Sequence, residues 1–398
     1  MAQLGDYIKI KHGYAFKGDY ISTEDNGIVL VTPGNFAIKG GFKENKCKFF
    51  TSDYPKEYVL KEDDLIVTMT DLSKDGDTLG YSAKIPKSKR VYLHNQRIGL
   101  VEIISPEIDK DYLYWFMRTS KYQKTLVATA SGSTVKHTSP SRIYEIEIDL
   151  PNIDTQKSIS KILNDIENKI IMNNAINSNL EQQMQAIFIN MFGESIDALD
   201  ECDTTLSDLV ESVDNRGKTP PLSPDITNYP IIDVRALSGS SRIIDYNNCS
   251  KFVDEETYNN WFRSGHPQPY DILISTVGSL AEMKIFLGTV GSIAQNVVGF
   301  RCKQVSPLYI YQYLNYIKND LVAYNIGSVQ PSIKVTHIIK HHIFLPDKCE
   351  IDKFDAIARE MTNQIYANCK ENENLTHLRD TLLLKLMSGV IDLSNIAI

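Results

Sequence analysis

A weak internal repeat constrains this chain more than any other feature, because landmarks of its first half recur in the same order in its second. Leu4-Gly5-Asp6 opens one half and Leu206-Ser207-Asp208 the other. A β-branched run from Asp64 (DLIVTMT) is matched by one from Asp271 (DILISTV), and both read as buried strands. Asn95-Gln96-Arg97-Ile98-Gly99-Leu100 matches Gln295-Asn296-Val297-Val298-Gly299-Phe300, each placing side-chain amides before an apolar segment. Tyr112-Leu113-Tyr114 and Tyr309-Ile310-Tyr311 follow. Gly132-Ser133 then precedes Leu150-Pro151, and Gly327-Ser328 precedes Leu345-Pro346, with the same 19-residue interval from Gly to Pro. At 398 residues the chain is long enough to bury two separate cores, and the repeat predicts two similar domains.

Beyond each proline the period changes. Leu163, Ile166, Ile170, Asn173, Ile176 or Asn177, Leu180, Met184 and Ile187 recur at spacings of three and four. Ile166, Ile170, Asn173, Leu180 and Ile187 correspond to Met361, Ile365, Asn368, Leu375 and Leu382 at a constant offset of 195. No Gly or Pro lies between Thr155 and Phe192, so this reads as one helix of 38 residues, about 57 Å long. A similar helix runs from Ile351 to about Met387. Narrow apolar seams predict a coiled coil, and a two-fold relating the halves would run the helices antiparallel. Asn173, Asn177, Asn368 and Asn372 would then meet near its middle, where polar residues cost stability but fix register. The expected fold is α+β: two mixed, mainly-β domains separated by two long antiparallel coiled-coil helices. The divisions fall at 1–151, 152–193, 194–346 and 347–398.

Hydrophobic residues make up 42% and charged residues 23%, which predicts a globular chain rather than a disordered one. No run approaches 18 apolar residues, and no basic segment followed by an apolar run opens the chain, so a cytoplasmic location is expected. Cys47, Cys202, Cys249, Cys302, Cys349 and Cys369 form no CxxC pair and read as reduced thiols, some of them buried. The net charge of −8 is uneven: residues 1–150 carry 21 Lys+Arg against 20 Asp+Glu, and residues 206–346 carry 12 against 12. Gly193 to Thr205 carries five acids and no base. Composition therefore gives DNA binding no support, although near-neutral domains bind DNA through local basic faces.

The order of domain, helix, domain, helix resembles the specificity subunit of Type I restriction-modification systems, over essentially the whole chain. The residues that carry the resemblance are the Gly13–Phe16 GYAF run, the strand from Asp64, the turns Gly132-Ser133-Thr134 and Gly327-Ser328-Val329-Gln330, both helices, and the Leu382–Gly389 ending. The resemblance implies that each domain reads one half of a split DNA sequence and that the helices set the spacing. It implies two identical methyltransferase subunits as partners, which bring S-adenosylmethionine and methylate adenine. It also implies motor-nuclease subunits that use ATP and Mg and cleave. This chain would bind no cofactor and would be no enzyme.

The residues agree. An adenine methyltransferase needs an Asn/Asp-Pro-Pro-aromatic clamp for a flipped base, whereas Pro220-Pro221 here lies between Thr219 and Leu222. No GxxxxGK[ST] loop exists for a motor. Asp165, Glu167 and Lys169 could mimic a nuclease site but read as the solvated face of a helix. His337 and His341 have metal-ligand spacing only on a helix, and their β-branched surroundings predict a strand, with the pair about 13 Å apart.

Bases are read by Arg or Lys to guanine and by Asn or Gln to adenine, while hydroxyls and main-chain amides hold phosphates. The first-domain candidates are Tyr14, Phe16 and Lys17; Thr70, Ser73 and Lys74; Asn95, Gln96 and Arg97; and Ser133, Thr134, Lys136 and His137. Those of the second are Arg216, Lys218 and Thr219; Ser275, Thr276 and Ser279; Gln295 and Asn296; and Ser328, Gln330, Ser332 and Lys334. The amide pairs could equally satisfy main-chain groups within a bend, the Gly-Ser turns could be structural, and the aromatic stretches read as helix-packing core. Because the two sets differ, the domains should read different half-sequences. Two rival readings are a recognition module for a system that cleaves on both sides of its site, and a coiled-coil scaffold whose domains bind peptides or RNA.

Overall fold

The computed structural model of the chain describes residues 2–45, 47–73, 75–198, 203–391 and 393. Packing divides it into two units, Met1–Asn168 with Leu375–Ile398, and Lys169–Asn374. Each unit joins one β-rich domain to parts of two long helices, the central helix Ile153–Phe188 and the C-terminal helix Lys348–Met387.

In the first unit β1 (Ile8–His12), β2 (Leu65–Thr68), β3 (Ser82–Lys84) and β4 (Ile98–Ile103) form an antiparallel sheet in the order β1-β4-β2-β3. In the second, β5 (Val210–Val213), β6 (Ile272–Ser275), β7 (Met283–Ile285) and β8 (Val297–Cys302) repeat it as β5-β8-β6-β7. Each sheet is entered through one helical turn whose aspartate accepts a main-chain N–H: Asp6 from Gln3 at 3.0 Å, Asp208 from Thr205 at 2.7 Å. Strands β2 and β6 are buried along their whole length because alternation sends their side chains to two cores. Leu65 and Val67 pack with Trp115, Leu163 and Leu386, while Ile66 faces Val29, Phe49 and Tyr92 of a second, five-stranded sheet. Ile272 and Ile274 pack with Phe188, Tyr309 and Phe354, while Leu273 faces Ile232 and Ile293 of a three-stranded sheet.

The ladders correct one equivalence read from the sequence. Ile98 opposes Thr68, and Val297 opposes Ser275, so Gln96 corresponds to Gln295 and Arg97 to Asn296, one residue out of step with the glycine match. A one-residue slip would turn every side chain to the other face. In the observed register the outward charges Glu102 and Arg301 correspond, as do the buried Val101 and Phe300.

The aromatic stretches lie on helices Lys110–Phe116 and Pro307–Tyr316 and are mostly buried. Val335–Ile339 is a helix, which overturns the strand reading of His337 and His341. Val335 and Ile338 both face the core at a helical spacing, and this packing overrides the β-branched preference. Both histidine rings lie against Tyr324, at 6.0 and 5.9 Å, and the Tyr324 hydroxyl is 2.8 Å from His341 Nδ1. Five cysteines are free, with Cys47 and Cys249 buried; Cys202 lies outside the described residues.

In the second unit the helices meet through asparagines. Asn368 Nδ2 donates to Asn177 Oδ1 at 2.7 Å, and Asn173 Nδ2 donates to Asn372 Oδ1 at 2.9 Å. Numbers rise along one helix as they fall along the other, so the helices run antiparallel there. At the offset of 195 each pair is the image of the other. Asn177 takes the seam position and Ile176 stays exposed. Leu180, Ile187, Met361 and Ile365 pack into the same core. Beyond Phe188 a π-helical turn, Ile189–Gly193, seats Phe192 beside Phe188 against Phe354. In the first unit Arg379 of the C-terminal helix reaches Glu167 of the central helix at 2.6 Å, and Leu382 packs against the core while Ile166 is half-buried.

Candidate nucleic-acid interface

The residue that follows each central strand knits three loops together. Met69 donates its N–H to Arg97 O at 3.0 Å and accepts the N–H of Thr138 at 3.0 Å. Thr276 donates to Asn296 O at 2.8 Å and accepts from Ile333 at 2.9 Å. The amide turn, the loop after the strand and the Gly-Ser turn therefore converge at one end of each four-stranded sheet. Both Gly-Ser turns are closed by a main-chain bond, Ser131 N–H to His137 O at 3.0 Å and Ile326 N–H to Ser332 O at 2.9 Å. A Cβ at Gly132 would lie 2.0 Å from Val135 O, and one at Gly327 1.9 Å from Gln330 O, so both positions require glycine.

In the first domain the GYAF loop joins this cluster: Tyr14 N–H donates to His94 O at 2.8 Å, and Gln96 N–H to Tyr14 O at 3.0 Å. Tyr14 and Lys17 are exposed, whereas Phe16 is buried on Phe50, Leu30 and Leu93. Thr70 is buried with its hydroxyl 3.2 Å from His137 Nδ1. Asn95 is buried and its Oδ1 accepts the N–H of Arg97 at 3.0 Å, so it shapes the turn that turns Gln96 and Arg97 outward. Ser133, Thr134 and His137 are exposed, and Lys136 and Ser73 half-exposed. Lys74 lies outside the described residues.

In the second domain Gln295 Nε2 donates to Thr219 Oγ1 at 2.9 Å, tying the loop after β5 to the amide turn. Ser275 and Thr276 are buried: the Ser275 hydroxyl donates to Ser279 O and accepts the N–H of Glu282, while that of Thr276 faces Asn296 O. Lys218, Thr219, Ser279, Gln295, Ser328, Gln330 and Lys334 are exposed; Arg216, Asn296 and Ser332 are partly so. The five buried candidates, Phe16, Thr70, Asn95, Ser275 and Thr276, serve the frame, and their outward neighbours make the surface.

Two organising groups escaped the sequence reading. Asp71 accepts from Ser73 N at 2.7 Å, Thr78 Oγ1 at 2.7 Å and Thr78 N, and holds the loop after β2 in shape. Burial opposes its ionisation, but these donors prevail and keep the carboxyl below its ordinary range. In the second domain Asp214 grips Arg216 through Nε at 2.9 Å and accepts its N–H at 2.9 Å. Burial again opposes, and Arg216 overcomes it, lowering the Asp214 pKa. No motif marks either residue; an Asp two places before a turn residue was the available signal.

Residues 1–182 match the family described as the Type I restriction modification DNA specificity domain. The Type I restriction enzyme MjaIX specificity subunit of Methanocaldococcus jannaschii is 23% identical over 310 residues, covering 70% of this chain and 68% of that protein. The crystal structure of a Type-I restriction-modification system S subunit from M. genitalium superposes with a TM-score of 0.56 at 16% identity, over 96% of this chain and 94% of that one, and shares its fold. Residues 1–182 thus match a Type I DNA specificity domain, and the chain as a whole shares its fold with a Type I specificity subunit.

Proposed function

We propose that this chain is the DNA-reading subunit of a Type I restriction-modification complex, each domain recognising one half of a bipartite duplex target. The observation that carries the reading is the duplicated convergence of the amide turn, the loop after the central strand and the Gly-Ser turn on one frame, with different outward residues. The first frame presents Gln96 and Arg97, suited to adenine and guanine edges; the second presents Gln295 and Asn296, both suited to adenine. The chain catalyses nothing itself. Two modification subunits supply S-adenosylmethionine and methylate adenine, and motor-nuclease subunits use ATP and Mg. Among the described residues no helix is long and apolar enough to cross a membrane, in keeping with work in the cytoplasm beside DNA. The rival scaffold reading has no support among the relatives.

The test is methylation mapping in cells that express this chain with a cognate modification subunit, against cells lacking only this chain. A bipartite adenine-methylated motif that vanishes without the chain, with one half changed when residues 1–151 are exchanged, is the expected result. An unchanged motif after the exchange, with the complex demonstrably assembled, overturns the reading.

A further inference from the structure

The second domain carries a groove between one candidate reading loop, that of Arg216 and Lys218, and a segment longer than its counterpart in the first domain. From Phe252 to Ile272 it has four more intervening residues than the register-equivalent Phe49 to Leu65 of the first domain. The longer segment forms helix Glu255–Trp261 and the turn that follows. With the loop after β5 it encloses a cavity of about 530 Å³ lined by Arg216, Lys218, Asn260, Trp261 and Arg263. Its walls are tied together: Asn215 Nδ2 donates to Gly265 O at 2.9 Å, Asn215 Oδ1 accepts from Ser264 N at 2.9 Å, and Arg263 Nη2 donates to Arg216 O at 2.8 Å. Asp214 pairs directly with Arg216 and its charge also reaches Arg263, so three cations share one carboxylate and net positive charge remains for a ligand. Trp261 is 41% exposed, an unusual outlay for a large apolar ring. The same loop continues into Thr219, which Gln295 holds.

Resting on the DNA-reading assignment, we propose that this groove takes the sugar–phosphate backbone of duplex DNA beside the half-site read by the second domain. Lys218 and Arg263 neutralise phosphates, and Trp261 packs on the deoxyribose between them. Among the described residues the first domain has no counterpart, since Tyr14 packs at a tilt against Tyr58, ring centroids 5.3 Å apart, in the corresponding place. The second domain thus covers more backbone than the first.

Binding of the full chain, with a cognate modification subunit, to duplex carrying its mapped motif is measured from about 50 to about 200 mM salt. Lys218→Ala, which removes a side chain with no bond among the described residues, lowers the slope of log affinity against log salt by about one, and adding Arg263→Gln lowers it by about one more. The chain has two tryptophans and Trp115 is fully buried, so the DNA-induced change in emission belongs to Trp261 and disappears in Trp261→Phe. A wild-type complex that binds duplex while Lys218→Ala keeps its slope and Trp261→Phe keeps the emission change overturns the groove alone. A wild-type complex without affinity for duplex overturns the DNA-reading assignment and the groove with it.

Discussion

In the first domain the loop after β1 is closed by aromatic rings, Tyr14 against Phe16 at 5.1 Å and Tyr58 at 5.3 Å; in the second the same loop is closed by charge, Asp214 on Arg216. The ladders beneath them have the same strand order, so the chemistry of the tips changes without disturbing the sheet. A contrast of the same kind exists where each domain meets the central helix. Arg242 is fully buried and grips Glu181 through Nε at 3.1 Å and Nη2 at 2.7 Å. Arg118, also buried, lies over Trp115 and donates to Lys39 O at 2.9 Å, but lies 3.6 Å from Glu167, which Arg379 already holds at 2.6 Å. One carboxylate has a single arginine partner and the other has two.

That difference predicts the largest effect. Arg242→Ala strands Glu181 without its partner and should cost about 3–5 kcal/mol, whereas Arg118→Ala leaves Glu167 paired and should cost about 1–3 kcal/mol. Denaturant unfolding of the two variants checks this, and equal losses would break the contrast between the two attachments.

Lys284 sharpens it further. It is 1% exposed and sits in the second ladder where the first has Ala83. Its ammonium donates to Gly239 O at 2.8 Å and to Ser241 O, next to Arg242. Burial lowers its pKa to about 8, only partly countered by Glu181 and Glu282. The unfolded chain, with its lysine near 10.5, therefore binds more protons between those values, and stability contributed by this group rises as pH goes from about 8 to about 10.5. Relative to Lys284→Met, the wild type should gain up to about 3 kcal/mol across that window and show a flat difference below it. A flat difference throughout would mean the lysine is hydrated.

At the Gly-Ser turns the two domains should behave alike. Gly132→Ala and Gly327→Ala each drive a Cβ into a carbonyl oxygen, so each turn must open, at a cost of about 1–3 kcal/mol. The expected readout is loss of one half of the methylated motif in each variant, a different half in each. Loss of the whole motif in either would show that the turn supports more than its own domain.

What the sequence made legible follows the repeat. Helix seams, central strands and Gly-Ser turns were readable because each kept its spacing in both copies. The amide turns were read one residue out of step, since the glycines Gly99 and Gly299 coincide only in the slipped alignment and periodicity alone does not choose between adjacent registers. Polar type alone did not separate outward residues such as Gln96 from inward ones such as Asn95 and Ser275, because a short polar side chain in a turn serves the main chain as readily as a ligand. The Trp261 groove was hidden for a different reason: it exists only where the copies cease to match.

The smallest effect is expected where the copies match best, at the asparagine seam. Asn173 is fully buried and its Oδ1 has no hydrogen-bond partner. Replacing Asn173 and Asn368 with leucine removes one member of each inter-helix pair. Asn372 keeps a bond to Asn174 at 2.9 Å, but Asn177 keeps only Cys369 Sγ at 3.6 Å. The gain from apolar packing is thus partly offset by the stranded amide, and the net rise should be about 1 kcal/mol, seen as a few degrees in Tm. Adding Asn177→Leu and Asn372→Leu removes the stranded amides too and should raise Tm further. If the double variant melts at or below the wild type, these asparagines stabilise the helix pair as well as fixing its register, and the repeat would have kept them for strength.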